Sequence, residues 1–557
     1  MDNALEGKVK KEVIEEFIRK GHSYLENDIN ALVKLKKIKA GEQKTTDAEL
    51  KLPESIRKNA DLIDQKLSSI KICDPAIGSG AFPVGLLHEL VNAMLVLKPH
   101  LSYDYLTEKL KGFGFTHLES ISDSRYIYRL KRHIIQESIY GVDIDSSAID
   151  IARLRLWLSL VVDEDDLDPI ETLPNLDYKI VCGNSLISRF ALDTPINDVF
   201  KEFNKKIREK DYNNKAIKDL VGDNEVNLEF YKKITNDFLI ESSHEQKLIF
   251  REFIKEVKNA FKTTLQKKEI NKLSKARGEL ENLQGLDIFG KPIGTKAQIS
   301  QAKSKLKELE KERDETINSD IYKNALEWRF EFPNLLDDKG NFIGFDVVIG
   351  NPPYVNIYSI PESDKSIYNK VYSTAYKKYD LYVLFFEQGL SLLKTCGGIN
   401  LITSNKYFSQ PYGLKLRELF LRYRILELVN FRFNVFSATV DTSITHIQKD
   451  SPSDFIEILD INDKKGFERF IKNIRIPLNL DFIRKLPDNL FRIEVSEKDI
   501  SIINKLDSFS LTFSDLCYVN YGCRLVSKKG TKKKKDYIFS ENTNGRLKPF
   551  IEGSDIR

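Results

Sequence analysis

Among the 557 residues, the tetrapeptide Asn351-Pro352-Pro353-Tyr354 carries the most chemistry for its length. It offers a side-chain oxygen, a backbone carbonyl, two rings that stiffen a turn and an aromatic face. That set suits an exocyclic amine whose lone pair is delocalised into a ring. To be methylated, such an amine must pyramidalise so that its lone pair points at the incoming methyl. Two acceptors on its two N–H bonds would hold that geometry and stabilise the charge that develops on nitrogen. Asn351 supplies one acceptor through its side chain and Pro352 the other through its carbonyl. The prolines fix the backbone in advance, and Tyr354 can stack on the ring.

A methyl donor needs a site of its own. Asp74-Pro75-Ala76-Ile77-Gly78-Ser79-Gly80 follows an apolar run, at the place where open α/β sheets bind ligands. Gly80 is followed by Ala-Phe-Pro-Val before Gly85, so the dinucleotide spacing GxGxxG is absent, and no GK[ST] is present. A ligand without phosphates fits better. Asp143, ending "GVDID", can accept both hydroxyls of a ribose; Ile144 can lie on an adenine face and Asn184 can bond an adenine edge. An amino acid, a ribose and an adenine without phosphate make S-adenosylmethionine. Asp143 as a helix cap and Asn184 as a turn residue are the plainer alternatives.

The elements that must hold these residues alternate. "SIKICD", "SIYGVDID" and "YKIVC" read as strands, separated by the amphipathic helices "PVGLLHELVNAMLVL" and "SSAIDIARLRLWLSLVV", with Ser146 or Ser147 as cap. Alternation stops after about residue 190. "LQKKEINKLSKARGELENL" and "KAQISQAKSKLKELEKERDETI" read as a coiled-coil hairpin turning at "GLDIFGKPIGT". It resumes with "FDVVI", "GGINLITS", "ILELVNF" and "TSITHIQK". Seven strands interrupted by one helical insertion predict an α/β fold, a doubly wound Rossmann-like sheet split in sequence.

Composition excludes several classes. Lys and Arg number 87 against 83 Asp and Glu, a net charge of +4, so a nucleic-acid surface must come from local clustering. The five cysteines, Cys73, Cys182, Cys396, Cys517 and Cys523, form no CxxC pair, so no metal site is expected. "MDNALEGKVKKEVIEEF" has no apolar core of a signal peptide, and no later run reads as membrane-spanning. A cytoplasmic protein without a membrane partner is expected.

"DPAIGSGAF", "GVDIDSSAIDIARLRLWLSL", "CGNSL", "GFDVVIGNPPYV" and "VFSATVDTSITHI", in that order, resemble the S-adenosylmethionine-dependent domain of N6-adenine DNA methyltransferases of the gamma class. "YKNALEWRFEFPNLL" and "PFIEGSDIR" look like the fused type IIG restriction–modification enzymes and the related BREX adenine methyltransferases. The resemblance implies that Asp74, Ala76, Gly78, Gly80, Asp143, Ile144 and Asn184 hold S-adenosylmethionine. It implies that Asn351, Pro352 and Tyr354 hold an adenine flipped from double-stranded DNA, with Phe436 stacking on its other face. Asn184 stands where many members have aspartate, which makes that adenine contact neutral. Nuclease or defence-system subunits are implied partners in restriction–modification or phage defence.

With that family in view, the expected domains are an N-terminal helical segment (1–69), the cofactor half (70–190), a charged helical insertion (191–335) and the catalytic half (336–450). A connecting segment (451–505) and the start of a target-recognition domain (506–557) follow, the chain reading as truncated there. The lysine run "SKKGTKKKK", Ser527 to Lys535, is the expected phosphate contact. Two departures stand out: residues 1–73 lack the family's Tyr-Thr-Pro segment, and no PD…(D/E)xK pattern is present, so cleavage by this chain is not expected. Methyltransferases of protein glutamine or RNA share Asn-Pro-Pro-Tyr and form the rival enzyme reading. A non-catalytic DNA-binding subunit of a defence complex is the rival outside catalysis.

Overall fold

The computed structural model describes residues 7–493 except 41–48, 116–122, 163–175, 189–191, 193–195, 210, 242, 264–266, 287–289, 291–292, 319–323, 437–440 and 464–474, together with 502, 505, 508 and 509. The chain divides into two units, 1–492 and 493–557. The lysine run 527–535, and all but two residues of the segment 506–557, lie outside the described residues.

Nine strands form one sheet: β1 (Ile72–Asp74), β2 (Ile139–Asp143), β3 (Ile180–Cys182), β4 (Phe345–Gly350), β5 (Leu393–Ser404), β6 (Arg424–Phe431), β7 (Thr442–Gln448), β8 (Phe455–Ile461) and β9 (Ile476–Asn479). Their order is β3-β2-β1-β4-β5-β7-β6-β8-β9. β1 to β5 pair in parallel, β7 runs antiparallel between β5 and β6, and β8 rejoins β6 in parallel. The doubly wound α/β sheet expected from the alternation is therefore present. It carries two strands more than the seven expected, because β8 and β9 add to its edge within the segment 451–505.

The chain runs outward from β1 through β2 to β3, then returns to lay β4 on the other side of β1. This reversal makes β1 and β4 the topological switch point, and the carboxyl ends of both strands face one crevice. Helices Ala81–Leu97 and Ser146–Val161 cover the cofactor half, and Tyr382–Leu392 covers the catalytic half. The N-terminal helix Lys11–Lys39 joins the same core, where Ile14 and Phe17 pack with Leu90, Val96 and Leu97. Ala81–Leu97 and the turn to His100 form a 20-residue run long and apolar enough to cross a membrane, contrary to expectation. Its apolarity belongs to a core helix, since Leu87, Leu90, Val91, Met94 and Leu97 are all buried.

The insertion between β3 and β4 leaves and returns at one point. Asn184 pairs with Ala325 in a parallel bridge, the Asn184 N–H donates to the Asn324 carbonyl (2.7 Å), and the Leu326 N–H donates to the Ile187 carbonyl (2.8 Å). Between these bonds, helices bury a core of their own around Phe203, Phe238, Phe253 and Val257. The expected hairpin forms from Lys267–Gln284 and Lys296–Asn318, tied by Arg277–Glu310 (2.9 Å) and Lys305–Glu279 (3.1 Å) across exposed faces. Such exposed pairs contribute little to stability.

β4 is anchored at its base by aromatic rings. Phe345 is fully buried and meets Tyr140 at 5.3 Å and Trp328 at 6.1 Å between centroids, both edge-on. Phe345→Ala is expected to lose about 3–5 kcal/mol of burial and packing. Hydrogen exchange should show the loss first along β4 and β5, and unchanged protection there would refute this anchoring.

Candidate active site

The loop after β1 is shaped by Gly78 and Gly80, whose φ angles of +51° and +79° are left-handed. At Gly80 a Cβ would also stand 3.0 Å from the Cα and Cβ of Ala152, so the loop lies against helix Ser146–Val161. At Gly78 a Cβ would meet nothing within 4 Å. That open side of the loop is where a ligand can approach backbone.

Asp143 ends β2, and its carboxylate joins two loops. One oxygen accepts from the Gly78 N–H (2.9 Å), the other from the Asp145 N–H (3.0 Å). Each oxygen keeps a second lone pair, so two hydroxyls can still be accepted. Asp145, and not Ser146 or Ser147, caps helix Ser146–Val161, its oxygen accepting from the Ser147 N–H at 2.9 Å. Ile144 stands in solvent with 62% of its surface exposed. An isoleucine so placed at a strand end is available to a planar apolar ring.

Asn184 does what its turn requires and more. Its side-chain oxygen accepts from the Leu186 N–H (3.0 Å), and its amide donates to the Tyr368 hydroxyl (3.3 Å). Tyr368 belongs to helix Glu362–Val371, which follows the catalytic motif, and Tyr372 next to it donates to the Leu186 carbonyl (2.6 Å). The segment after the tetrapeptide thus folds back over the cofactor half, a link that residue patterns did not reveal.

Asn351-Pro352-Pro353-Tyr354 emerges from β4 beside Asp74. A Cβ on Gly350 would lie 2.5 Å from the Asp74 Oδ1, so only glycine lets the two strand ends sit this close. Asp74 is 2% exposed, and its Oδ1 accepts from the Ala76 N–H at 3.0 Å. Burial pushes its carboxyl up to about 7; the Ala76 N–H pulls the value back, and the negative Asp143 adds to the rise.

At the tip, the Asn351 Oδ1 is buried without a hydrogen-bond partner. A buried acceptor left open costs about 1–3 kcal/mol, and such groups mark sites that receive a donor from elsewhere. Pro352 is buried and Pro353 exposed. Tyr354 is held at both ends: its hydroxyl donates to the Ile402 carbonyl (3.2 Å), and its ring meets Tyr382 edge-on at 6.4 Å. Burial pushes its phenol up to about 12, so it stays a neutral donor. Phe436 packs against an apolar cluster that includes Ile402, and Phe82 from the helix after the Gly-rich loop packs against the same cluster. The site therefore draws the loop after β1, the ends of β2 to β5 and the β6–β7 connection to one rim. Among these groups the Asn351 Oδ1 is the acceptor left open.

A model of the Eco57I restriction-modification methylase family matches residues 137–436, more than half of the chain. The chain belongs to that family. It is 27% identical over 518 residues to a candidate type II restriction enzyme and methyltransferase of Methanocaldococcus jannaschii, covering 88% of this chain and 39% of that protein. It is 30% identical over 173 residues to the type II restriction enzyme and methyltransferase RM.Eco57I of Escherichia coli, which covers 27% of this chain and 17% of that one. The type II methyltransferase M.BstVI of Geobacillus stearothermophilus is 37% identical over 95 residues, 17% of each protein. The chain thus spans well under half the length of the curated relatives it matches.

Three substitutions test the site's physics without any ligand. Asp74 has a folded value raised above the ordinary carboxylate range. Its stabilising neutral form is therefore fully present below about pH 4 and lost as pH rises through about 7. Asp74→Asn should match the parent in melting at pH 4 and exceed it by roughly 2–4 kcal/mol at pH 8. A constant difference across that window would show that Asp74 is not buried as a charge. Gly80→Ala combines a left-handed φ with a blocked Cβ and should lose about 2–3 kcal/mol, against about 1 kcal/mol for Gly78→Ala. Equal losses in denaturant titrations would contradict the packing of the loop on Ala152.

Proposed function

We propose that this chain methylates N6 of an adenine extruded from duplex DNA, with S-adenosylmethionine as donor, acting in the cytoplasm as the modification activity of a restriction–modification or phage-defence system. The observation that carries the reading is the buried, unpartnered Asn351 Oδ1 beside the Asp74–Gly350 approach. An acceptor in that position lacks a donor until an amine arrives. Its relatives' names as type II methyltransferases support the same class of substrate.

The donor set fits the cofactor. Asp74, Ala76, Gly78 and Gly80 would hold its amino-acid portion, Asp143 its ribose hydroxyls, and Ile144 with Asn184 its adenine. Asp74 gains a natural partner in an ammonium group, which would keep its buried carboxylate ionised. When bound, the sulfonium supplies an electrophilic methyl whose bonding pair stays on sulfur. Asn351 and the Pro352 carbonyl accept the two N6–H bonds, leaving the nitrogen lone pair free to form the new N–C bond. They also hold the proton that the methylated nitrogen then releases to water. Tyr354 is fixed at its hydroxyl and ring edge and offers a face for stacking, and Phe436 supplies the opposing surface. Stacking of this kind contributes about 1–3 kcal/mol per base.

Incubation with tritiated S-adenosylmethionine and unmethylated genomic DNA should place the label in N6-methyladenine after hydrolysis to nucleosides. Asn351→Ala should slow transfer about a hundred- to thousandfold while leaving cofactor affinity within about twofold. Label in N4-methylcytosine, in RNA or in protein would replace the substrate class. An Asn351→Ala variant with most of its turnover would remove the role of the open acceptor.

A further inference from the structure

The residues just past the catalytic tetrapeptide form a short ribbon with a second segment. The Leu381 N–H donates to the Val355 carbonyl (2.9 Å), the Ile357 N–H donates to the Tyr379 carbonyl (3.1 Å), and the Asn356 amide donates to Asp380 (2.8 Å). The ribbon leads to a loop whose base is fixed by one carboxylate. Glu387 accepts from the backbone and hydroxyl of Ser373 (3.1 and 2.9 Å) and of Thr374 (2.9 and 2.6 Å). Above that base the loop presents Lys377 and Lys378, both exposed.

Four features of this tip go beyond a solvated charge. Lys377 holds φ = +57°, a left-handed conformation that non-glycine residues rarely adopt. Each ammonium lies over a tyrosine ring, Lys378 at 5.4 Å from Tyr358 and Lys377 at 5.0 Å from Tyr376. Tyr358 itself is 65% exposed, which keeps a large aromatic face on the surface. Among the described residues no carboxylate pairs with either lysine, whereas nearby Lys365 pairs with Glu362 at 3.1 Å. Tyr358 follows Tyr354 by four residues, so chain reach holds its Cα within about 14 Å of the Tyr354 Cα. Two exposed cations without a carboxylate partner, on a loop that follows the tetrapeptide this closely, complement the anionic backbone of the strand that would carry an extruded base.

We infer that the Tyr358/Tyr376–Lys378 loop is a phosphodiester-binding element of the methyltransferase domain itself, gripping the strand that carries the target base. It rests on the DNA reading above, and it places backbone contact in this domain independently of the lysine run 527–535. Contacts of this kind position the duplex and carry no sequence information.

Salt dependence of binding to a mixed-sequence duplex is the direct test. Removing two phosphate contacts should lower the slope of log K against log salt by about 1.8. Lys377→Ala with Lys378→Ala should therefore weaken binding roughly ten- to a hundredfold at low salt and raise the KM for DNA, while calorimetry finds cofactor affinity kept. The double arginine variant should restore both slope and affinity, which separates charge from a folding defect. An alanine variant whose slope and KM equal the parent's would overturn the inference while leaving DNA methylation intact. A parent that methylates RNA or protein and ignores duplex DNA would overturn this inference together with the reading beneath it.

Discussion

Everything at the candidate site depends on how closely the ends of β1 and β4 approach one another. Gly350 leaves no room for a side chain against the Asp74 carboxylate, and that contact sets the tetrapeptide next to the Gly-rich loop. Parallel pairing of β1 with β4 makes it possible, because it brings both carboxyl ends to the same rim. A wider separation would leave the tetrapeptide and the Gly-rich loop in separate crevices. The contact also accounts for the burial of Asp74, whose carboxyl is pushed up by the apolar surroundings that the approach creates.

The remaining parts are held before any ligand arrives. Asp143 ties the Gly78 amide to the start of the next helix, so the first two loops keep one relation to each other. Tyr354 is fastened to β5, and Phe436 packs against the apolar cluster that contains its acceptor residue, Ile402. Asn184 is bonded on one side to the return of the insertion and on the other to Tyr368. Only the Asn351 oxygen is left open at the tip among these groups, and preorganised acceptors of this kind cost no reordering during reaction.

Much of this was legible in residue order. A buried run ending in Asn-Pro-Pro-Tyr can only be a strand with a stiff tip, and glycines after "KICD" need a turn with positive φ. The cap of helix Ser146–Val161 was misplaced because Asp145, Ser146 and Ser147 are all good caps, and only backbone geometry selects among them. β9 was missed because it is a four-residue edge strand whose Ile476 faces solvent, and β8, which lies inside the sheet, because it opens on an exposed Phe455 and its buried Ile458 and Leu459 break strict alternation. The insertion's charge was plain, but its aromatic core was not. Phe200, Phe203 and Phe253 are spaced among lysines and glutamates, and helical packing alone gathers them. Tyr354 and its acceptor are 48 residues apart, beyond any local pattern. Phe436 was indicated by family resemblance alone.

The stapled base of the insertion has a consequence for how such chains can change in length. Because Asn184 and Ala325 are bridged, the insertion leaves and rejoins the sheet at one closed stem, with the hairpin Lys267–Gln284/Lys296–Asn318 part of the excursion beyond it. The entropy of closing that excursion grows only with the logarithm of its length, about 0.6 kcal/mol for each doubling. Residues can therefore accumulate or be lost along the outer hairpin at small thermodynamic cost. The reacting rim inherits none of that variation, which makes this stem a natural place for lineages to diverge.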